Sequence, residues 1–405
     1  MRSWTFASAG TLFFGRGVVR QRLAEACARL RARRLLVVTD QGVVRAGLGE
    51  AVRVAAATAQ LELAFFDQVT PEPPVEVVRN CVAAAREWQP DAVIGLGGGS
   101  ALDTAKLTAL LLTHGGDPLD YTGEGRVPGP IRPVLAIPTT AGTGSEVSAA
   151  AVFTDTARQI KVSCLSPYLR PAVALVDPLL TVTCPAKVTA DAGIDALTHA
   201  IEAYCAVANE AFPLPEGEVS VYQGKNPMAD LFAAEAIRLI GRHLQMAVQD
   251  GSNLAAREGM ALAATLAGLA FSNSGVALVH AMEYPLGGAV HVSHGAGNGL
   301  LLPYVMRYNL PVRRREIAQI GAWLTDTPLS EQADEPSAVA ERAIAAIERL
   351  RSTIGIPARL RDIGVTPEML PEFASKAFAI TRLLRVNPRR PTTPDEILTI
   401  YQAAY

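Results

Sequence analysis

Residues 91–106 read DAVIGLGGGSALDTAK, and this stretch decides the fold class. A β-rich run at residues 91–96 ends in three glycines, and a helical pattern starts near Ser100. Because glycine has no Cβ, backbone N–H groups there can approach a diphosphate closely, and the helix presents its positive end to the same anion. The spacing matches neither GxGxxG nor a P-loop, since Lys106 comes seven residues after Gly99. An ordinary glycine turn therefore stays an alternative to a phosphate site.

The residues before this stretch repeat the alternation of strand and helix. Strands are predicted at residues 34–39, 61–66 and 91–96, and helices at residues 48–59 and 75–88. This βαβαβ order predicts a Rossmann-like parallel sheet covered by helices, which binds nucleotides at the carboxyl ends of its strands. The glycine run follows the third strand, and that position favours a phosphate over an ordinary turn.

A second run of small residues, IPTTAGTGSEVS at residues 137–148, follows an apolar run at residues 133–137. Its hydroxyl groups on Thr139, Thr140 and Thr143 could bind a ligand, and its glycines permit close backbone approach. A plain loop with a helix cap is the alternative.

Two charged residues are candidates for contact with a nucleotide. Asp40, just after the first strand, could accept hydrogen bonds from an adenosine ribose and repel a 2′-phosphate, which favours NAD over NADP. An Asp that opens a turn is also common. Lys161, in RQIKVS, could contact the cofactor or substrate, or could be an exposed strand lysine.

Four potential metal ligands follow in the second half of the chain. Asp195 and His199 are four residues apart in a helical pattern, so their side chains leave the same helix face and can bind one ion. His280 and His294 come later. Three imidazoles and a carboxylate suit Fe²⁺ or Zn²⁺ better than Ca²⁺ or Mg²⁺. Spacing alone does not bring the two pairs together, and each histidine could be a core or cap residue.

The composition changes after about residue 185, where strands give way to helical patterns. Helices are predicted at residues 228–248, 254–271, 313–324 and 336–353. We therefore expect a dinucleotide-binding α/β domain over residues 1–185 and an all-α metal-binding domain over residues 186–405, with the active site between them.

The overall composition argues against several classes of protein. A formal net charge of −2 gives no bulk attraction to nucleic acid or anionic lipid. Five scattered cysteines do not suggest a disulfide framework. The N-terminal residues lack signal-peptide features, and the longest apolar run, near residues 260–271, is shorter than the ~20 residues that span a bilayer. We expect a cytoplasmic protein that binds neither nucleic acid nor membrane.

Five motifs occur in order, between FFGRG (13–17) and NPRRPTTPDEILTIY (387–401): GGGSALDTAK (97–106), PTTAGTGSEV (138–147), AGIDALTHAIEAY (192–204), VHAMEYPLGG (279–288) and SHGAGN (293–298). In this order they resemble the iron-containing, group III alcohol dehydrogenases. The resemblance implies an NAD-dependent enzyme, a homodimer or larger, that moves hydride between an alcohol or hydroxy acid and its aldehyde or ketone. The implied ligands of its Fe²⁺, or alternatively Zn²⁺, are Asp195, His199, His280 and His294. The implied cofactor contacts are Asp40, Gly97, Gly98, Gly99, Ser100, Asp103, Thr139, Thr140 and Thr143.

One position departs from the family pattern. Many members have a histidine four residues after the third ligand, as in HGMxHPLG, where it is thought to help relay the substrate proton; here that residue is Tyr284. An unperturbed phenol has a pKa near ~10, so we expect Tyr284 to be a less efficient catalytic proton-transfer group at neutral pH. Tyr284 and VYQGKNPMADLFAAEAIRLI (221–240) resemble the hydroxyacid-oxoacid transhydrogenase branch.

Other activities stay open beside an alcohol dehydrogenase. A transhydrogenase would pass hydride from 4-hydroxybutyrate to 2-oxoglutarate with NAD retained. Arginines that could bind such carboxylates, or form only a solvated basic face, are Arg382, Arg385, Arg389 and Arg390. A non-redox lyase related to dehydroquinate synthase would have glutamate in place of Asp195, which disfavours it.

Overall fold

A computed structural model describes residues 3–158, 160–214, 220–290, 292–328 and 336–405. These residues form two compact units, and the chain passes from the first to the second between Cys184 and Pro185. Residues 3–6 nevertheless belong to the second unit, and residues 220–221 belong to the first. The chain therefore crosses between the units more than once, which a single boundary near residue 185 does not describe.

The first unit contains two β-sheets. Its strands are β1 (Thr11–Phe14), β2 (Arg34–Val38), β3 (Glu62–Phe66), β4 (Ala92–Gly97), β5 (Gly123–Glu124), β6 (Val134–Pro138), β7 (Ala150–Asp155), β8 (Ile160–Leu165) and β9 (Val173–Val176). The larger sheet is parallel, with strand order β1-β9-β6-β4-β2-β3. In the smaller sheet, of order β5-β8-β7, strands β7 and β8 are antiparallel.

Helices cover both faces of the larger sheet. They are α1 (Val18–Leu30), α2 (Gln41–Arg45), α3 (Gly49–Thr58), α4 (Val75–Trp88) and α5 (Gly99–His114). Alternate residues of β2 face opposite ways, because Leu35 and Val37 belong to one core cluster, whereas Leu36 and Val38 belong to another. Burial on both faces explains why the central strands read as continuous apolar runs.

The carboxyl ends of the central strands lie side by side. In the parallel registers, Val38 of β2 is opposite Gly95 of β4, and Gly97 of β4 is opposite Pro138 of β6. The residues that follow these three strands therefore meet at one edge of the sheet, where parallel α/β sheets bind their ligands.

A buried lysine ties helix α5 to the segment before β7. The Nζ atom of Lys106 lies 2.7 Å from Ser145 Oγ and 2.7 Å from the backbone oxygen of Ala150. Asp103, one turn earlier, accepts hydrogen bonds from Ser145 Oγ at 2.6 Å and from the backbone N–H of Val152 at 2.9 Å. Burial lowers the pKa of Lys106 to about 8, although the Asp103 carboxylate opposes the shift.

The second unit is helical. Its helices are α6 (Ala186–Cys205), α7 (Pro227–Gln249), α8 (Leu254–Ser274), α9 (Leu278–Val290), α10 (His294–Thr325), α11 (Pro336–Thr353), α12 (Leu370–Phe378), α13 (Thr381–Leu384) and α14 (Pro394–Ala404). Helix α8 is long and apolar enough to cross a membrane, but 72% of its most apolar 18-residue stretch is buried inside the protein, as in the core helix of a soluble protein. The predicted fold class, a parallel α/β domain followed by an all-α domain, is confirmed.

The lowered pKa of Lys106 predicts how stability depends on pH. Between pH about 8 and about 10.5, the folded chain has released the Lys106 proton while the unfolded chain still holds it. The free energy of unfolding of the parent should therefore rise by roughly 3 kcal/mol relative to that of Lys106→Met as the pH rises through this range. Below this range, the difference between the two proteins should not change with pH. Urea denaturation of both proteins at several pH values measures the difference.

Lys376→Met serves as the matched control, because the Lys376 side chain is half exposed and pairs with Glu372 at 2.7 Å. Its stability over the same pH range gives the effect of removing an exposed lysine. A Lys106→Met profile that follows the Lys376→Met profile would show that the buried ammonium keeps its ordinary affinity for protons.

Candidate metal centre and cofactor loops

Helix α6 presents three ionisable side chains on one face. Asp195, His199 and Glu202 are spaced i, i+4 and i+7, so they share a stripe along the helix. All three are buried. A stripe of this kind needs partners from a neighbouring helix, because buried charges are costly unless they are paired.

Glu202 supplies the link to helix α9. Its carboxylate accepts hydrogen bonds from the backbone N–H of Ala277 at 2.8 Å and of Val279 at 2.7 Å, at the start of α9. The same carboxylate lies 2.6 Å from Nδ1 of His280. The first turn of α9 is thereby held against α6 with His280 beside Asp195.

Helix α10 approaches the same place through its glycines. A Cβ on Gly295 would lie 2.0 Å from the backbone oxygen of Asp191 in α6, and a Cβ on Gly297 would lie 2.9 Å from Cγ of Glu283 in α9. Only glycine allows this approach without a shift of backbone or side chain. The close packing brings His294, the first residue of α10, to the face formed by α6 and α9.

Three of the four predicted metal ligands converge. One ligand atom each from Asp195, His280 and His294 lies within 4.8 Å of the other two. The fourth predicted ligand, His199, adjoins this group: its Nδ1 is 3.9 Å from Asp195 Oδ2, and its ring stacks on that of His280 with centroids 4.8 Å apart.

The electrostatics of the group favour an ionised carboxylate. Burial by itself raises the pKa of Asp195, but the attraction of His199, His294 and His280 outweighs burial and holds that pKa below its ordinary value. Asn298, one turn after His294, donates to Asp195 Oδ1 at 2.8 Å. A carboxylate oxygen and imidazole nitrogens at these separations fit a borderline divalent cation such as Fe²⁺ or Zn²⁺.

The group is more open on one side than on the other. The side chain of His294 is 31% exposed, whereas those of Asp195 and His280 are almost fully buried. The ring of Tyr284 lies 6.2 Å from the ring of His294. Tyr284 thus lies beside His294, the more exposed of the predicted ligands, and its role in proton transfer stays a prediction.

In the first unit, the two predicted cofactor loops pack on each other. A Cβ on Gly98 would touch Thr140 at 3.4 Å, and a Cβ on Gly99 would overlap Thr143 Cγ2 at 2.8 Å. The backbone N–H of Thr139 donates to Gly97 at 2.9 Å. Both glycine-rich segments therefore meet at the start of α5, where Ser100 lies in the first turn.

Asp40 lies at the same edge of the sheet. Its Oδ1 caps helix α2 by accepting from the backbone N–H of Val43 at 2.9 Å, and its Oδ2 would lie 3.4 Å from a Cβ on Gly97. The carboxylate thus adjoins the glycine run while it also serves as a helix cap.

Two other predicted cofactor residues are engaged elsewhere. Both carboxylate oxygens of Asp103 accept hydrogen bonds from within the unit, so this residue braces α5. Lys161 is buried on β8, in the smaller sheet, and its Nζ lies 2.7 Å from Glu72 Oε1. A direct contact of Asp103 or Lys161 with a cofactor stays a prediction.

Three of the four predicted C-terminal arginines lie over aromatic rings. Three guanidinium groups lie over rings: Arg382 over Tyr222 at 6.0 Å, Arg385 over Phe212 at 5.5 Å and Arg389 over Tyr308 at 4.1 Å. Cation–π contacts of this kind support a structural role for these three arginines, and their N–H groups can still bind a carboxylate, so a substrate contact stays a prediction.

Three residues that contact the predicted metal ligands were not predicted from the sequence. These are Glu202, Glu283 and Asn298. Helical spacing could have found two of them, because Glu202 lies three residues after His199 and Asn298 lies four residues after His294. Glu283, three residues after His280, contacts His294 of another helix instead.

Comparisons with known proteins agree with these observations. The family model described as iron-containing alcohol dehydrogenase matches residues 9–178, and the model described as Fe-containing alcohol dehydrogenase family, C-terminal, matches residues 218–405.

Individual relatives are similar over nearly their whole length. The chain is 37% identical to an NAD-dependent methanol dehydrogenase of Bacillus methanolicus, with 94% of each protein covered. It is 40% identical to long-chain-alcohol dehydrogenase 1 of Geobacillus thermodenitrificans, over 93% of this chain and 91% of that protein. A crystal structure of a 1,3-propanediol oxidoreductase superposes with a TM-score of 0.91 at 38% identity, with 100% of each chain covered.

Proposed function

Because the chain belongs to the iron-containing alcohol dehydrogenase family, we propose that it interconverts small primary alcohols and aldehydes with NAD as hydride carrier and Fe²⁺ as resident metal. As a member of this family it is an alcohol oxidoreductase. The observation that carries the finer proposal is the buried group of Asp195, His280 and His294. Zn²⁺ is the alternative metal, since it takes the same ligands.

The residues of the second unit would hold the metal. When bound, a divalent cation supplies Lewis acidity towards the alcohol oxygen, and NAD supplies the hydride acceptor. Asp195, His280 and His294 provide three ligand atoms, and we propose His199 as the fourth. The hydroxyl of Tyr284, beside the exposed ligand His294, is the proposed group for exchange of the substrate proton.

The residues of the first unit hold the cofactor. Gly97, Gly98 and Gly99 leave the backbone accessible, and the positive end of α5 favours the diphosphate. The hydroxyl groups of the adjoining threonine loop lie against these glycines. Asp40 is the proposed partner of the adenosine ribose, and its charge disfavours the 2′-phosphate of NADP.

The substrate class follows the named relatives, which act on methanol, long-chain alcohols and 1,3-propanediol. Because these relatives are named for uncharged alcohols, we propose an uncharged alcohol rather than a hydroxy acid. A homodimer or larger oligomer stays a prediction from the family resemblance.

A substrate panel tests the proposed function. The purified protein, loaded with Fe²⁺ or Zn²⁺, is given NAD⁺ and primary alcohols, diols or 4-hydroxybutyrate, and NADH is followed by absorbance. We expect NADH with small primary alcohols and the reverse reaction with their aldehydes. Turnover that requires 2-oxoglutarate in place of free NAD⁺ would indicate the transhydrogenase, and a product formed without net redox change would indicate a lyase.

Asp195→Ala should abolish retention of the metal and lower kcat/KM by at least ~10³-fold, because several kcal/mol of charge stabilisation at the alcohol oxygen is lost. NAD should still bind to within about twofold, as measured by fluorescence titration. Asp230→Asn is the control, since Asp230 lies on α7 and pairs with Lys225 at 3.2 Å. Equal turnover by a metal-free Asp195→Ala protein would contradict the mechanism.

Asp40→Ser should relax the preference for NAD. Serine keeps an N-cap for α2, so the change removes mainly the negative charge. We expect the ratio of kcat/KM for NADP to that for NAD to rise by at least ~10-fold, equivalent to ~1.4 kcal/mol. Initial rates with both cofactors measure it, and an unchanged ratio would show that Asp40 acts only as a cap.

A further inference from the structure

Two buried carboxylates each lie against the Nδ1 atom of a histidine in the proposed metal site. Glu202 Oε2 is 2.6 Å from Nδ1 of His280, and Glu283 Oε2 is in short contact with Nδ1 of His294. The side chain of Glu202 is 5% exposed and that of Glu283 is fully buried. A buried carboxylate is tolerated when a hydrogen-bond donor faces it, so each Nδ1 is expected to carry a proton.

The opposite nitrogen of each ring faces a donor. Nδ2 of Asn298 lies 3.3 Å from Nε2 of His280 and 3.2 Å from Nε2 of His294. The reverse orientation of this amide would place its oxygen against Asp195 Oδ1, 2.8 Å away, where two acceptors would repel each other. The amide nitrogen has two hydrogens to donate: one is directed at Asp195 Oδ1, and Nε2 of His280 and Nε2 of His294 share the other, so both Nε2 atoms face a donor.

We propose that Glu202 and Glu283 are positioning residues that fix the Nδ1–H tautomer of His280 and His294 and thereby direct both Nε2 lone pairs towards the cation. Each ring has its own carboxylate acceptor at Nδ1, whereas the two Nε2 atoms share one N–H of Asn298, an arrangement that matches the Nδ1–H tautomer of both rings. The proposal deepens the metal site of the proposed function. It rests on that function, because the proposed cation lies on the Nε2 side of both rings.

The two carboxylates differ in what else they hold. Glu202 also binds the N–H groups of Ala277 and Val279, so a change there would disturb the start of α9 together with the tautomer. Glu283 packs against Gly297 and reaches His294 from the middle of α9. Glu283 is therefore the better position at which to separate the tautomer from the packing of the helices.

The first measurement is the tautomer itself. The chain has six histidines, so selective ¹⁵N labelling and long-range ¹H–¹⁵N correlation spectra of the full-length, metal-free protein can resolve each ring. We expect Nδ1–H on both His280 and His294 in the parent. Glu283→Met, which keeps the length but removes the acceptor, should give a mixture of tautomers at His294 and leave His280 unchanged. Glu283→Gln should restore Nδ1–H, because its amide oxygen still accepts.

The second measurement is Zn²⁺ affinity by competition with a chromophoric chelator. Loss of an outer carboxylate costs ~10–100-fold in metal affinity, so we expect this loss in Glu283→Met, a smaller loss in Glu283→Gln and none in Asp230→Asn. Thermal unfolding of the metal-free proteins checks that each variant is folded.

Nε2–H on His294 in the parent would overturn the proposal, as would a Glu283→Met protein with the parental tautomer and the parental Zn²⁺ affinity. If the parent shows Nδ1–H on both rings but takes up no Fe²⁺ or Zn²⁺, the tautomer assignment stands and the proposed function fails. The parent spectrum decides the assignment even if Glu283→Met does not fold.

Discussion

One buried carboxylate, Glu202, joins helix α6 to the start of helix α9 in the second unit. It lies on the same face of α6 as Asp195 and His199, and the three donors that its oxygens meet all come from residues at the start of α9. A charge that cannot reach water has to be met by donors, so α9 can pack on α6 only in the register that supplies them. That register delivers His280 to Asp195. The position of His280 beside Asp195 thus follows from satisfying the Glu202 charge, whereas His294, the third member of the group, lies on α10.

Close backbone approach is the second constraint, and it operates in both units. In the first unit, Gly98 and Gly99 let the threonine loop lie directly on the start of α5. In the second, Gly295 and Gly297 let α10 contact α6 and α9. In each case the missing Cβ brings polar groups from separate segments within reach of one ligand. The units have unrelated architectures, yet each builds its site at the first turn of a glycine-rich helix.

Local signals predicted much of the fold. Helix α4 was predicted with its exact bounds, because Pro74 fixes its start and its apolar spacing is regular. The edge strand β1 was not predicted, since it is short and half-exposed and pairs with β9 across most of the first unit. Helix α9 contains Pro285 and two glycines, which resemble a loop in sequence. Residues 313–324 were predicted as a separate helix but form the end of α10, beyond a local break at Arg313.

The candidate site shows the same division. Asp195 and His199 could be found from an i, i+4 spacing, whereas Glu202 and His280 meet across 78 residues and only the packed structure reveals their contact. The order of the units along the chain has a further consequence for synthesis. Thr5 and Phe6 contact Gln223 and Phe232 of the second unit, so the first unit is inserted between two pieces of the second. On the ribosome, residues 3–6 emerge before the larger sheet but can reach their partners only after α7 is made, while the sheet can already fold.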